Sequence, residues 1–105
     1  MAEIDVAPEG SFPPGSTKLI YAGPSLTIGV YNCGGELYAI EDRCSHDDGP
    51  LCEGDWDEGR CCVVCPRHGS MFELSTGQPI SLPATDPVET YPVRVVDGAV
   101  VVELP

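Results

Sequence analysis

Short runs of apolar and β-branched residues, punctuated by glycine and proline, recur along the whole chain. Residues 17–22 and 25–31 have the composition of β-strands, and a Gly-Pro pair separates them. The second run reaches Gly34-Gly35 and a new apolar run starts at once, so the pattern predicts a hairpin over residues 25–41. Glycine supplies the positive φ that such a tight turn needs.

The C-terminal third of the chain contains a second hairpin signal. Residues 91–96 and 99–103 are rich in valine and flank Asp97-Gly98, a dipeptide typical of two-residue hairpin turns. Between the two hairpins, residues 60–64 and 70–74 are short apolar runs, which predict two further strands.

Composition extends this pattern to a fold class. Eleven prolines and twelve glycines in 105 residues favour many short strands and turns over long helices. Residues 1–16 show little periodicity and are expected to form an extended arm, and we allow for one helical turn near residues 49–53. Trp56 is the one apolar side chain of an acidic connection and is expected to anchor it. We predict a single all-β domain over residues 1–105.

Two cysteine–histidine pairs carry the candidate chemistry. Cys44-Ser-His46 is followed, after eighteen intervening residues, by Cys65-Pro-Arg-His68, and these are the only two histidines in the chain. Thiolate sulfur stabilises ferric iron, whereas neutral imidazole leaves its iron more easily reduced. If each loop supplies one cysteine and one histidine, the cysteines can hold one iron of a [2Fe–2S] cluster and the histidines the other. An incoming electron would then localise on the histidine-bound iron.

Two other interpretations of these four residues stay open. A Cys₂His₂ set is also a tetrahedral zinc site, although one residue between Cys44 and His46 is tight for chelating a single ion. Each residue could also be an ordinary surface histidine or buried cysteine. Cys62-Val-Val-Cys65 further matches the thiol redox motif C-x-x-C, but Cys65 cannot serve both as metal ligand and as redox thiol.

The two ligand segments and their flanks resemble a Rieske-type [2Fe–2S] ferredoxin of the small kind that serves bacterial multicomponent oxygenases. The likeness extends over residues 18–104, including the Asp-Pro-Val-Glu-Thr-Tyr-Pro-Val-Arg segment before the last hairpin. It implies an antiparallel β-sandwich with a small cluster-binding subdomain, about residues 42–80, formed by two ligand loops. It also implies one cluster per chain and the following site residues: Cys44 and Cys65 on the inner iron, His46 and His68 on the outer iron through Nδ1, and Ser70 hydrogen-bonded to a bridging sulfide.

The sequence departs from the respiratory branch of that family. Gly49 and Arg67 stand where that branch has a disulfide between the ligand loops, and Phe72 replaces a tyrosine that hydrogen-bonds a ligand thiolate. Asp47 and Asp48 should further disfavour an added electron, and Arg67 offsets part of this effect. The resemblance therefore implies a low reduction potential.

Charge restricts the classes of partner. Seventeen acidic and five basic residues give a formal net charge of −12, which repels nucleic acid and anionic membranes. A partner with a basic surface is the natural complement. The alternative is that the acidity serves only solubility.

Targeting signals and cysteine usage indicate the compartment. Glu3 and Asp5 stand where an export signal needs basic residues, and the chain lacks a run of about eighteen apolar residues, the length that a membrane helix requires. Cys61 and Cys62 are adjacent and are expected to point to opposite faces of a strand, which argues against a secreted disulfide scaffold. We expect a soluble monomer in the reducing cytoplasm.

The functional prediction is a one-electron carrier, which takes an electron from a flavin-dependent reductase and passes it to a terminal oxygenase of the aromatic-ring-hydroxylating type. We expect no enzymatic activity, because the sequence offers no nucleophile with a base, no phosphate-binding loop and no open metal site with its general base. Alternatives are a Rieske ferredoxin that serves iron–sulfur-cluster assembly or another reductive pathway, and a zinc-stabilised interaction module.

Overall fold

The computed structural model describes residues 2–45, 49–67, 69–82 and 84–104. Within these ranges the chain forms antiparallel strands and one 3-10 turn at Glu9–Ser11, which confirms the predicted all-β class. None of the helical structure in the described ranges could cross a membrane. The strands are β1 (Ala2–Pro8), β2 (Thr17–Gly23), β3 (Leu26–Cys33), β4 (Glu36–Glu41), β5 (Trp56–Asp57), β6 (Cys62–Val64), β7 (Met71–Glu73), β8 (Thr90–Tyr91), β9 (Val93–Val96) and β10 (Ala99–Leu104).

The strands form three sheets, in the orders β1-β10-β9, β2-β3-β4-β8 and β5-β6-β7, which we call the outer, middle and loop sheets. Both predicted hairpins are present. Gly34 and Gly35 join β3 to β4 at φ of +63° and +102°, and Asp97 and Gly98 join β9 to β10 at +51° and +79°. These positive φ values explain why glycine and aspartate occupy the turns.

The N-terminal segment differs from the expectation of an extended arm. It forms strand β1, which pairs with β10 from Ala2 opposite Leu104 to Pro8 opposite Ala99. Burial differs between the faces of this strand: Val6 is buried, whereas Glu3 and Asp5 are exposed. Because β1 is short and polar, pairing with β10 is what orders it. The local sequence does not reveal this pairing. The helical turn allowed near residues 49–53 is absent there, and the chain makes turns instead.

The middle sheet is covered on both faces. Successive residues of β3 point to opposite sides, so Val30 enters one core and Tyr31 the other. The sandwich core, between the middle and outer sheets, contains Val6, Phe12, Ile20, Ile28, Val30, Ala39, Val100 and Val102. The loop core, on the other face, contains Tyr31, Ile40, Cys44, Leu51, Cys52, Val63, Cys65, Phe72, Leu74, Ala84 and Val88. The predicted sandwich is therefore present, with a third layer that contains both candidate cysteine ligands.

Two contacts join the middle sheet to the loop sheet. Trp56 packs edge-to-face on Tyr31, with 5.1 Å between ring centroids, which confirms its predicted anchoring role. Cys33 and Cys61 form a disulfide with a Cα–Cα distance of 5.9 Å. This bond is absent from the sequence-based expectations, which placed Cys61 in a strand with Cys62. Cys61 lies instead in the turn before β6, at φ +53°.

Gly77 ties the exit from the loop sheet to the chain that returns to the middle sheet. Its N–H donates to the carbonyl of Glu73 at 2.7 Å, and its own carbonyl accepts from the N–H of Val88 at 2.9 Å. Its φ is +76°, and a Cβ added there would lie 2.1 Å from the Val88 carbonyl oxygen. Only glycine fits, because both the backbone conformation and the neighbouring backbone exclude a side chain.

Replacing Gly77 with alanine should therefore destabilise the fold more than the same change at a glycine of similar φ. Gly98 has φ +79°, and a Cβ added there would meet open space, so Gly98→Ala carries only the left-handed backbone cost of about 1–2 kcal/mol. Gly77→Ala adds a backbone clash of about 1–3 kcal/mol. Denaturant unfolding of both variants measures the difference, and equal losses of unfolding free energy would contradict the proposed role of the Val88 contact.

Candidate metal centre

The two candidate cysteines begin two turns with the same hydrogen bond. Cys44 follows β4 and donates its backbone N–H to the carbonyl of Gly49 at 2.8 Å. Cys65 follows β6 and donates its N–H to the carbonyl of Ser70, also at 2.8 Å. In each case the acceptor is five residues later. The predicted ligand His46 or His68 falls inside the turn in sequence, but both histidines lie outside the described residues, as do Asp47 and Asp48.

Both cysteine side chains are withdrawn from water. Cys44 is 0% exposed and Cys65 is 1% exposed, and both lie in the loop core. Two loops from different sheets thus bring a cysteine each to one apolar region. Iron–sulfur clusters are held by such thiolates, and burial of the sulfur side excludes solvent from it. The donor chemistry and the burial of the described residues fit the cysteine half of a [2Fe–2S] site.

Asp42 closes the first ligand loop. Its Oδ1 accepts hydrogen bonds from the N–H groups of Leu51 at 2.8 Å and Cys52 at 2.6 Å. Its own N–H donates to the carbonyl of Thr27 in β3 at 2.8 Å. The carboxylate therefore joins the start of the loop to its end and fixes both to the middle sheet. No sequence signal indicates this role, because a single aspartate before Cys44 is indistinguishable from a solvated one.

A third loop, described at residues 81–82 and 84–86, contacts both ligand loops. The Ser45 hydroxyl donates to the carbonyl of Asp86 at 2.6 Å, and the N–H of Ala84 donates to Ser70 Oγ at 3.1 Å. At the same end of the molecule, Ser81 Oγ accepts from the N–H of Met71 at 2.8 Å. The sequence does not predict these contacts, since they join residues up to 41 positions apart.

Ser70 is the residue for which the resemblance implied a hydrogen bond to a bridging sulfide. It is fully buried, and its Oγ accepts the Ala84 N–H, which leaves the hydroxyl proton available for an acceptor on another side. That proton is the group expected to reach a bridging sulfide. The hydrogen bond from Ser70 to the cluster stays a prediction, as do the ligand roles of Cys44, Cys65, His46 and His68.

The other cysteines are occupied or uncharged. Cys33 and Cys61 are disulfide-bonded. Burial, with a smaller effect from the negative charge of Asp42, raises the pKa of the Cys52 thiol to about 12, and a hydrogen bond with Tyr31 opposes only part of this, so the side chain is neutral at physiological pH. Burial, followed by the charges of Glu73 and Asp57, also raises the pKa of Cys62. Metal ligation requires the thiolate. Because their thiols are protonated, Cys52 and Cys62 are poorer ligand candidates than their residue type alone suggests.

Residues 2–92 match the family described as the Rieske [2Fe-2S] domain. The chain belongs to the Rieske [2Fe–2S] family. This membership confirms the predicted family and its cofactor, one [2Fe–2S] cluster per chain, and it removes the zinc interpretation.

Full-length relatives of this Rieske chain include the 3-phenylpropionate/cinnamic acid dioxygenase ferredoxin subunit of Escherichia coli K12. It is 43% identical over 105 residues, which cover 100% of this chain and 96% of the relative. Among solved structures, the ferredoxin of carbazole 1,9a-dioxygenase from Nocardioides aromaticivorans superposes with a TM-score of 0.86 at 28% identity and covers 97% of each chain. The Sphingomonas yanoikuyae B1 ferredoxin gives a TM-score of 0.84 at 29% identity and covers 99% of this chain and 100% of that one.

These Rieske relatives are ferredoxins, which are electron-transfer components. The predictions of an electron carrier, and of a chain that is not itself an enzyme, are confirmed by them. The antiparallel fold is likewise confirmed.

The Asp42 contacts generate a prediction about the first ligand loop. Asp42→Ala removes the acceptor of two backbone N–H groups and should cost about 2–3 kcal/mol of stability, because hydrogen bonds to charged groups are the stronger kind. The variant should also lose its cluster several-fold faster in the presence of an iron chelator, as measured by visible absorbance. Asp42→Asn is the matched control, because its Oδ1 can still accept both bonds. Equal rates for the alanine variant and the native protein would show that Asp42 does not hold the loop.

Proposed function

We propose that this Rieske protein is the ferredoxin component of an aromatic-ring dioxygenase system. It accepts one electron from a flavin-dependent reductase and delivers it to the terminal oxygenase. The observation that carries the proposal is the match, over 100% of this chain and 96% of the relative, to a chain named as a dioxygenase ferredoxin subunit. A solved complex of oxygenase and ferredoxin in carbazole 1,9a-dioxygenase adds support, with a TM-score of 0.87, 33% identity, and coverage of 95% of this chain and 91% of that one.

Reconstitution tests this proposal directly. The ferredoxin, mixed with the reductase and oxygenase of such a system, should restore substrate dihydroxylation driven by a nicotinamide cofactor. An equal amount of the Cys44→Ser variant is the control. If the native protein supports no turnover in any such mixture but accepts electrons from a reductase, it serves another reductive pathway, such as cluster assembly.

We assign the ligands as Cys44 and Cys65 on one iron and His46 and His68 on the other, with Ser70 as hydrogen-bond donor. The cluster supplies reversible uptake of one electron when it is bound. The residues of the chain supply its setting: the loop core excludes water from the cysteines, the two closed turns position the ligand segments, and residues 81–86 hold the turns together. We propose that residues 42–80 form the cluster-binding subdomain.

The surface at this end of the protein suits a transient encounter. Leu82, in the third loop, is 77% exposed, and Ile80, just before that loop, is 47% exposed. Pro50 and Pro66 are exposed in the two ligand loops. The chain as a whole has a formal net charge of −12. We propose that basic surfaces on the reductase and the oxygenase approach this acidic protein by electrostatic attraction and that the apolar side chains make the close contact. The carrier acts as a cytoplasmic monomer and binds neither nucleic acid nor membrane.

The metal content provides a first prediction from this proposal. The purified protein should contain two irons and two acid-labile sulfides per chain and should be red-brown. Cys44→Ser and Cys65→Ser should each abolish the visible spectrum, whereas Cys52→Ser should preserve it, because Cys52 is a neutral buried thiol of the same core. A colourless protein with one zinc, or loss of the spectrum in Cys52→Ser, would contradict the ligand assignment.

The salt dependence of electron delivery provides a second prediction. Changing Asp47 and Asp48, which directly follow His46 in sequence, to asparagine should slow electron transfer at low ionic strength and flatten its dependence on salt. The matched control changes Asp5 and Glu36 to their amides. Both control residues are exposed, and Glu36 is at the end of β4 opposite the first ligand loop. Stopped-flow measurements give the electron-transfer rate of both double variants. Equal effects would show that the overall charge of the protein, and not a docking surface at Asp47 and Asp48, attracts the partner.

A further inference from the structure

The Cys33–Cys61 bond lies at the end of the molecule away from the candidate ligands. Cys33 is the last residue of β3, next to the β3–β4 turn, whereas Cys44 follows the other end of β4. Cys61 directly precedes β6, whereas Cys65 directly follows it. A six-residue strand such as β4 is roughly 16 Å long, so this pair is separate from the sulfur ligands.

The two sulfurs differ in accessibility. Cys33 is 4% exposed, and Cys61 is half-buried. A thiol in solution can therefore reach Cys61 more easily than Cys33. Cys61 also has a φ of +53°, a conformation that costs a non-glycine residue energy and that the cross-link helps to maintain. Exposed or strained disulfides are the more easily reduced ones.

A hydrogen-bond acceptor is already in place for the reduced pair. The carbonyl oxygen of Glu58 is 3.1 Å from Cys33 Sγ and 3.9 Å from Cys61 Sγ. Disulfide sulfurs have no proton to donate, whereas a thiol S–H is a weak donor. Reduction thus allows a hydrogen bond to this carbonyl that the disulfide form cannot make.

We propose that Cys33 and Cys61 form a second redox site, a two-electron dithiol/disulfide pair that exchanges with low-molecular-weight thiols and disulfides. In oxidation, the Cys61 thiolate attacks an external disulfide, forms a mixed disulfide and releases one thiol. The Cys33 thiolate then attacks Cys61 Sγ, forms the internal bond and releases the second thiol. One external disulfide becomes two thiols, and two protein thiols become one disulfide. Disulfides in cytoplasmic proteins of mesophiles are commonly of this exchanging kind.

The Cys33–Cys61 bond is a covalent tether between two layers of the protein, and reduction of the bond opens this tether. The bond joins the middle sheet to the loop sheet and closes a chain segment, residues 34–60, that contains Cys44. Opening the bond leaves packing contacts such as Trp56 on Tyr31 to hold the layers at this end. The dithiol form should therefore release its cluster more readily, with no change in the visible spectrum of the intact cluster, because neither sulfur is a ligand.

The test equilibrates the cluster-loaded protein, without oxygen, in glutathione buffers of graded thiol-to-disulfide ratio. Acid quenching, alkylation in denaturant and peptide mass spectrometry then count the free thiols. Cys33 and Cys61 should become alkylated together as the ratio rises, at constant visible absorbance. A pair alkylated at every ratio, or a pair that excess thiol leaves oxidised while the cluster is intact, would overturn the proposal.

Variants test the assignment and the tether. Cys33→Ser and Cys61→Ser should each abolish the two-thiol step, whereas Cys62→Ser, at the adjacent position, should retain it. The dithiol form and the double variant with serine at positions 33 and 61 should lose absorbance in chelator several-fold faster than the disulfide form. Equal rates would overturn the tether, and persistence of the step in Cys33→Ser would overturn the pairing. If a serine variant does not fold, the titration and the chelator rates of the native protein decide both questions.

Discussion

Strand β3 of the middle sheet is buried on both faces, and the rest of the protein depends on this constraint. Because β3 is covered by the sandwich core on one side and by the loop core on the other, its residues Ile28–Cys33 have no solvent-exposed face. Gly29 shows the limit: a Cβ added there would lie 2.5 Å from Cys52 Sγ, a sulfur of the first ligand loop segment. The first ligand loop segment thus packs directly on the backbone of the middle sheet.

On this side of the middle sheet, hydrogen bonds to backbone groups hold the turns of the candidate centre in place. The N–H groups of Cys44 and Cys65 close their own turns, and carboxylate and hydroxyl oxygens of Asp42, Ser45 and Ser70 join those turns to their neighbours. Unpaired backbone groups would be costly beside an apolar core, and this network pairs them. The bonds that position the cysteines therefore also allow the surrounding backbone to be buried.

The sequence predicted what is local. Both hairpins follow from two-residue turns with positive φ, so Gly34-Gly35 and Asp97-Gly98 could be identified. Residue types at short spacing singled out Cys44 and Cys65, which lie buried in one core, and their role as ligands stays a prediction. What it could not predict is set by distant contacts. Strand β1 is defined by its partner β10, and the Cys33–Cys61 bond joins residues 28 apart. Pairing between residues so far apart in sequence produces no periodic pattern that could be recognised. The adjacency of Cys61 to Cys62 suggested a strand at a position where the chain turns.

The bond from Ser45 to the carbonyl of Asp86 has a consequence for biosynthesis. A chain that emerges from the ribosome exposes Cys44 and Cys65 well before residues 81–86 are available to hold their loops together. Closure over this separation carries the entropic cost of a long loop, so it forms late in folding. Delivery of iron and sulfide to this carrier is then a step that follows translation of the segment around Asp86, and the nascent chain presents thiols without a finished site.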